Sequence, residues 1–208
     1  MNRLKTGITI FIIVILSLIT CTLGFVVVSI FNTSEVSTTK SDVSTVNGGI
    51  EVDKGLFGDV SITLPSELFA LFGDEATATL TEEQKKNGLT KAEKLSDGSV
   101  KYTIKRSAYK DFLKEYRQET IESLNNLYGD DGFQSVKNIT YNDDFSKITI
   151  FVEKSQYDGS FDTLVVMSAG LCGRMYQAFD ADAPQKVVIE VKDNSNGNVI
   201  ETKTYPEE

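Results

Sequence analysis

The chain has no histidine, and that narrows the chemistry its other side chains can do. The commonest general base and the commonest zinc ligand are both removed. So are the usual Ser-His-Asp and Cys-His sites. Paired carboxylates can still do acid–base work, as in glycoside hydrolysis. Spacing alone singles out no pair among the 30 Asp and Glu. Ser37-Thr38-Thr39-Lys40 and Ser107-Ala108-Tyr109-Lys110 both match S-x-x-K, a pattern found in penicillin-recognising enzymes. The first lies in a polar linker with no rigid helix to hold a nucleophile. In the second, Ser107 reads as a helix N-cap.

The remaining motifs are weaker. Cys172 sits in an apolar segment, where a thiol behaves as a small hydrophobe. Cys21 is far from it in sequence, so no disulfide is expected. Gly129-Asp130-Asp131-Gly132 and Asp180-Ala181-Asp182 are acidic turns without the spaced ligands of a calcium loop. The chain has no Trp. A sugar platform would therefore fall to Tyr109, Tyr116, Tyr141, Tyr157 or Tyr176, of which Tyr109 and Tyr116 have the spacing of helix core residues. No P-loop or dinucleotide fingerprint occurs. We assign no catalytic residue, no cofactor and no metal site, and lean against an enzyme. The runner-up is a carboxylate-dependent hydrolase of envelope glycans or peptides.

Contact surfaces are the better candidates. Beyond residue 32 the chain has 19 Lys and Arg against 30 Asp and Glu, a net of −11. Such a surface repels polyanions, which argues against nucleic acid as a partner. It favours a protein, a cationic peptide or a divalent metal. The expected contact residues are Lys101, Thr103, Lys105 and Phe151 on a polar sheet face, with acidic loops around Asp130 and Asp143.

The elements that carry these residues read in order. Val60, Ile62 and Leu64 alternate with polar residues, as in a half-buried strand. A short apolar helix, Leu68–Phe72, and a capping box at Thr81-Glu82-Glu83-Gln84 follow. Thr90–Leu95 and Ser99–Arg106 flank the Asp97-Gly98 turn as a first hairpin. A long amphipathic helix is expected over Ala108–Tyr128. Val136–Tyr141 and Lys147–Glu153 form a second hairpin, and Lys186–Lys192 with Val199–Tyr205 a third. Between these two hairpins, Ser160–Phe179 reads as a core helix whose Leu164, Val165, Met167, Ala169, Leu171, Cys172 and Met175 face the sheet. The sum is an α+β domain over residues 49–208. It has a mostly antiparallel sheet built from three hairpins plus an N-terminal strand, with two main helices packed on one face. The other face is expected to carry Lys101, Thr103, Lys105, Thr149, Phe151, Glu153, Val188 and Glu190.

Everything after residue 31 is placed by the first apolar run. Residues 8–31 contain no charge and no Pro, and as a helix they span roughly the 30 Å hydrocarbon core of a bilayer. Residues 1–7 carry Arg3 and Lys5, whereas the next cation is Lys40. The positive-inside rule leaves the N-terminus in the cytoplasm and exports the rest. We read a retained transmembrane signal-anchor. The alternatives are a cleaved signal and a lipidated Cys21, for which Thr20 is a poor preceding residue. Residues 32–48, eight of them Ser or Thr, form a flexible linker.

SDGSVKYTIKRSAYKDFLKEY, ITYNDDFSKITIFV and MYQAF resemble a group of uncharacterised exported, lipoprotein-like or membrane-anchored proteins of Gram-positive bacteria. The resemblance covers about Val60 to Tyr205. It implies a location at the cell surface and brings no activity or site residue. Protease added to intact protoplasts should therefore digest residues 32–208. Survival of that region until the membrane is permeabilised would reverse the topology.

Overall fold

The protein is described by a computed structural model covering residues 50–55, 58–66, 68, 78–129, 132–158 and 161–206. The expected flank 1–7, anchor 8–31 and linker 32–48 lie outside the described residues. So do most of the short helix Leu68–Phe72, and Asp130 with Asp131. The fold is α+β. The chain divides into two compact units, Met1–Phe112 and Leu113–Glu208.

The first unit holds β1 (Glu51–Asp53), β2 (Val60–Leu64), β3 (Leu89–Lys94) and β4 (Val100–Ile104) in one sheet of order β1-β2-β4-β3. All its pairings are antiparallel. Successive side chains of a strand point to opposite faces, so Val60, Ile62, Leu64, Val100, Tyr102 and Ile104 share the buried face. The capping box forms as expected at the start of α1 (Glu82–Lys86). Thr81 Oγ1 accepts from the Gln84 amide, and Gln84 Oε1 accepts from the Thr81 amide.

The helix α2 (Arg106–Asn125) begins two residues before its expected start. The Lys105 carbonyl accepts from the Tyr109 amide and closes the first turn. Ser107 therefore lies inside the helix and does not cap it. At the other end the Leu127 and Tyr128 amides tighten to bonds with the carbonyls three residues back, and the helix stops short of Tyr128.

The second unit holds β5 (Val136–Tyr141), β6 (Lys147–Val152), α3 (Lys154–Tyr157), α4 (Leu164–Phe179), β7 (Val187–Asp193) and β8 (Val199–Tyr205). Its sheet has the order β5-β6-β7-β8. The pairings β5–β6 and β7–β8 are the expected hairpins. β6 and β7 pair in parallel, which requires a crossover connection, and α3 and α4 provide it.

Two expectations are corrected. The strands do not make one sheet: β1 to β4 form one and β5 to β8 another. The 20-residue helix α2 separates the two sets in sequence, and alternation within a strand carries no record of its neighbours. Nor do the main helices share one sheet face. α4 packs on β7 and β8. From Leu113 onward α2 packs on α4 instead, with the Tyr116 ring 6.1 Å from Tyr176 and edge-on to Phe179 at 5.4 Å.

The buried face of α4 also differs from expectation. Val165, Ala169 and Met175 are buried as expected. Leu164, Leu171 and Cys172 are half-buried and Met167 is exposed. Val166, Gly170, Gly173, Gln177 and Phe179 face inward in their place. The two glycines set this rotation. A Cβ on Gly170 would lie 2.6 Å from ring carbons of Tyr205, and one on Gly173 would lie 3.0 Å from Val187 Cγ2. Replacing Gly170 with Leu should overpack this contact and lower stability by about 1–3 kcal/mol. Chemical unfolding of the variant beside the parent measures it, and an unchanged midpoint would mean that Tyr205 is not seated on α4.

Candidate functional site

The first unit aligns polar side chains in two rows across its sheet. Strand register places Glu51, Thr63, Lys101 and Glu93 side by side, and next to them Asp53, Ser61, Thr103 and Lys91. Hydroxyls of Ser61, Thr63 and Thr103 fill the centre. Two acids mark the β1 edge. On the β3 edge the Lys91 ammonium pairs with Glu93 at 2.6 Å. Glu93 lies below the ordinary carboxylate range through its hydrogen bond with Lys91, the attraction of Lys91 and, more weakly, that of Lys101.

Arg106 positions the acidic edge. Its guanidinium donates to the carbonyls of Gly58 at 3.0 Å and Gly55 at 3.2 Å, and also to that of Lys54. These bonds hold the connection that returns β1 alongside β2. The Thr90 hydroxyl reaches Asp59 Oδ2 at 3.2 Å and the Thr103 carbonyl at 3.3 Å. That ties the start of β3 across β4.

The second unit has its own open face. There β6 carries Lys147, Thr149 and Phe151, and β7 carries Val188, Glu190 and Lys192 in register with them. Glu190 bridges Lys147 at 3.2 Å and Lys192 at 3.1 Å. Hydrogen bonds from Lys192 and then Lys147 hold its carboxyl below the ordinary range. Phe151 and Val188 are half-buried beside this triad.

The expected contact residues thus fall on two different sheets. Lys101 and Thr103 lie on the first sheet. Lys105 is exposed after β4. Thr149, Phe151, Val188 and Glu190 lie on the second sheet, and Glu153 follows β6. Asp143 is not a free loop charge. Its Oδ1 meets Arg117 Nη2 at 2.9 Å and its carbonyl accepts from Arg117 Nε at 3.1 Å. Asp180 accepts from the Asp182 amide at 3.1 Å, which is ordinary turn chemistry. Among the described residues no group of three acids or cysteines is arranged to hold a metal.

Most of the candidate sugar-platform tyrosines are withdrawn from the surface, and Tyr141 is half-buried. Tyr109, Tyr116, Tyr157 and Tyr176 are buried, and Tyr141 packs on Phe145 at 5.3 Å. Burial pushes the Cys172 thiol up to about 12, so it stays protonated and unreactive at neutral pH. No helix among the described residues is long and apolar enough to cross a membrane.

One titratable group was not singled out by sequence. Glu115, Glu119 and Glu122 lie on successive turns of α2. Burial first, then the charges of Glu115 and Glu122, raises Glu119 to about 7. Its Oε2 is enclosed without a hydrogen-bond partner. The helical spacing of these three acids was the available signal, but spacing does not say which of them is desolvated. No protein family, curated protein or solved structure matches this chain.

The raised Glu119 has a stability consequence. Its folded value stands above its ordinary 4.5, so the folded chain keeps a proton that the unfolded chain releases. Stability therefore falls as pH rises from about 4.5 to about 7, and the penalty is complete above that window. Glu119→Gln should be the more stable protein at pH 8, by about 1 kcal/mol after solvent screening. The difference should vanish at pH 4. Unfolding midpoints across that range check it, and equal stabilities throughout would mean Glu119 ionises normally.

Proposed function

We propose that this chain is a membrane-anchored extracytoplasmic module, of the exported Gram-positive kind it resembles, that acts by binding. The observation carrying this reading is the pair of polar rows on the first sheet. From Lys91 onward strand register fixes each charge and hydroxyl relative to its neighbours, so the face is preorganised and costs little to order on binding. The acidic edge, Glu51 and Asp53, suits a cationic segment of a protein or peptide. The apolar run 8–31 supports the anchored location, and the net charge supports a partner other than nucleic acid.

A hydrolase reading has one observation in its favour. Glu119, raised to about 7, has the protonation behaviour of a general acid. Its charged neighbours Glu115 and Glu122 stand on the same helix, whereas a glycosidase sets its two acids on opposite sides of the bond to be cut.

The test uses the full chain with short oligolysine and oligoglutamate peptides of equal length. Oligolysine should bind, weakening as salt screens the attraction, and oligoglutamate should not. Glu51→Lys with Asp53→Lys should reduce oligolysine affinity about tenfold. Unchanged affinity in that variant would remove the β1 edge as the contact. Turnover of cell-wall fragments that is lost in Glu119→Gln would replace the binding reading with the hydrolytic one.

A further inference from the structure

We propose that two copies of this chain associate edge to edge through β8, antiparallel, about a two-fold axis at Thr202. β8 ends its sheet and pairs only with β7 among the described residues. An edge strand presents unpaired amides and carbonyls that a second strand can satisfy.

The charges select the register. Under such an axis each sheet face continues onto the same face of the partner, so residue 202 meets itself and residue 201 meets 203. Glu201 of each copy then lies opposite the partner's Lys203, twice by symmetry. Moving the axis one residue either way sets Glu201 against Glu201 or Lys203 against Lys203, which is unfavourable. Thr202 would face its equivalent across the axis, where the two hydroxyls can bond.

Local structure prepares this contact. The buried Tyr157 hydroxyl donates to the Glu201 carboxylate, which holds that side chain in place on the edge strand. Lys203 is exposed and has no ion pair among the described residues. An exposed edge lysine ordinarily discourages strand pairing. Here the same strand carries the acid that answers it.

The other edges are less suited. β1 has three residues. β3 also holds a cation and an acid two residues apart, but Lys91 and Glu93 pair with each other at 2.6 Å, and the strand is irregular between Leu89 and Lys91. β5 is irregular between Val136 and Asn138, and its one charge is Lys137. β8 has a register shift near its start, but Glu201 to Tyr205 pair regularly with β7.

The experiment is oxidative cross-linking of the full chain. Opposed residues of an antiparallel pair are about 4.5–5.5 Å apart at Cα, within disulfide reach. Thr202→Cys should give a covalent dimer. Thr204→Cys, displaced from its equivalent by four residues, should not, nor should the parent with its native cysteines. Adding Lys203→Glu to Thr202→Cys should slow cross-linking about tenfold, because acids then face acids. Mixing that chain with one carrying Glu201→Lys and Thr202→Cys should restore it, circular dichroism confirming that both fold. A Thr202→Cys chain that stays monomeric overturns the proposal. So does cross-linking indifferent to Lys203→Glu, or equal at Thr204→Cys.

Discussion

The close approach of α4 to β7 and β8 is the contact on which the second unit depends. A helix normally stands off a sheet by the length of its side chains. Gly170 and Gly173 remove that spacing over one turn, and the Tyr205 ring and the Val187 methyls fill the space directly. Apolar burial is worth about 25 cal/mol per Å², so an aromatic ring seated without a gap contributes a large share of what one helix can supply. The same approach brings Gln177 into the interior. Its amide donates to the carbonyls of Asp144 at 3.2 Å and Lys186 at 3.1 Å. An amide left unpaired at full burial would cost about 1–3 kcal/mol. Both loops are thereby tied to the helix that crosses between β6 and β7.

Phe145 shows how far that core extends into a turn. It adopts a left-handed backbone, φ 55°, which costs a residue with a side chain about 1–2 kcal/mol. In return the ring is fully buried, and burying a Phe stabilises by about 1.5–3 kcal/mol. It packs edge-on to Tyr176 at 4.9 Å, with the Arg117 guanidinium over its face at 5.7 Å. The balance favours the strained turn. Arg117 secures it further by holding Asp143 from outside, so the most acidic hairpin loop in the described chain is fastened at both ends.

Sequence was informative where one strand or turn decides the outcome. Val60, Ile62 and Leu64 disclosed their shared face by alternation, Thr81 and Gln84 disclosed a cap, and Asp97-Gly98 disclosed a hairpin. It was uninformative where two distant segments decide. Nothing in β4 or β5 says that they belong to different sheets. The parallel β6–β7 pairing was latent in the strand–helix–strand order, although the third hairpin was easier to see. Phe145 looked like a loop residue because its neighbours are Asn and Asp. Met167 looked like core because α4 is apolar on nearly every side, which hides the direction of the buried face. On the candidate site, Lys101 and Thr103 were legible from strand phase. Their partners Glu51 and Asp53 were not, because Arg106 bonds to carbonyls about 50 residues away and such bonds leave no local pattern.

Charge acts at two ranges in the binding reading. The excess of acids sets the distant field, which decides what class of molecule approaches. The sheet faces are composed differently from that average. On the second sheet two lysines flank one glutamate. On the first, Lys91 and Lys101 offset Glu93 toward one edge, and the β1 acids lie at the other. A partner drawn in by net charge would therefore meet local patterns that differ from the average field. Long-range attraction speeds encounter and is lost with salt, whereas fixed near-neighbour charges discriminate among the molecules that arrive. Register supplies the second property, and it does so without any residue that could be recognised as a motif.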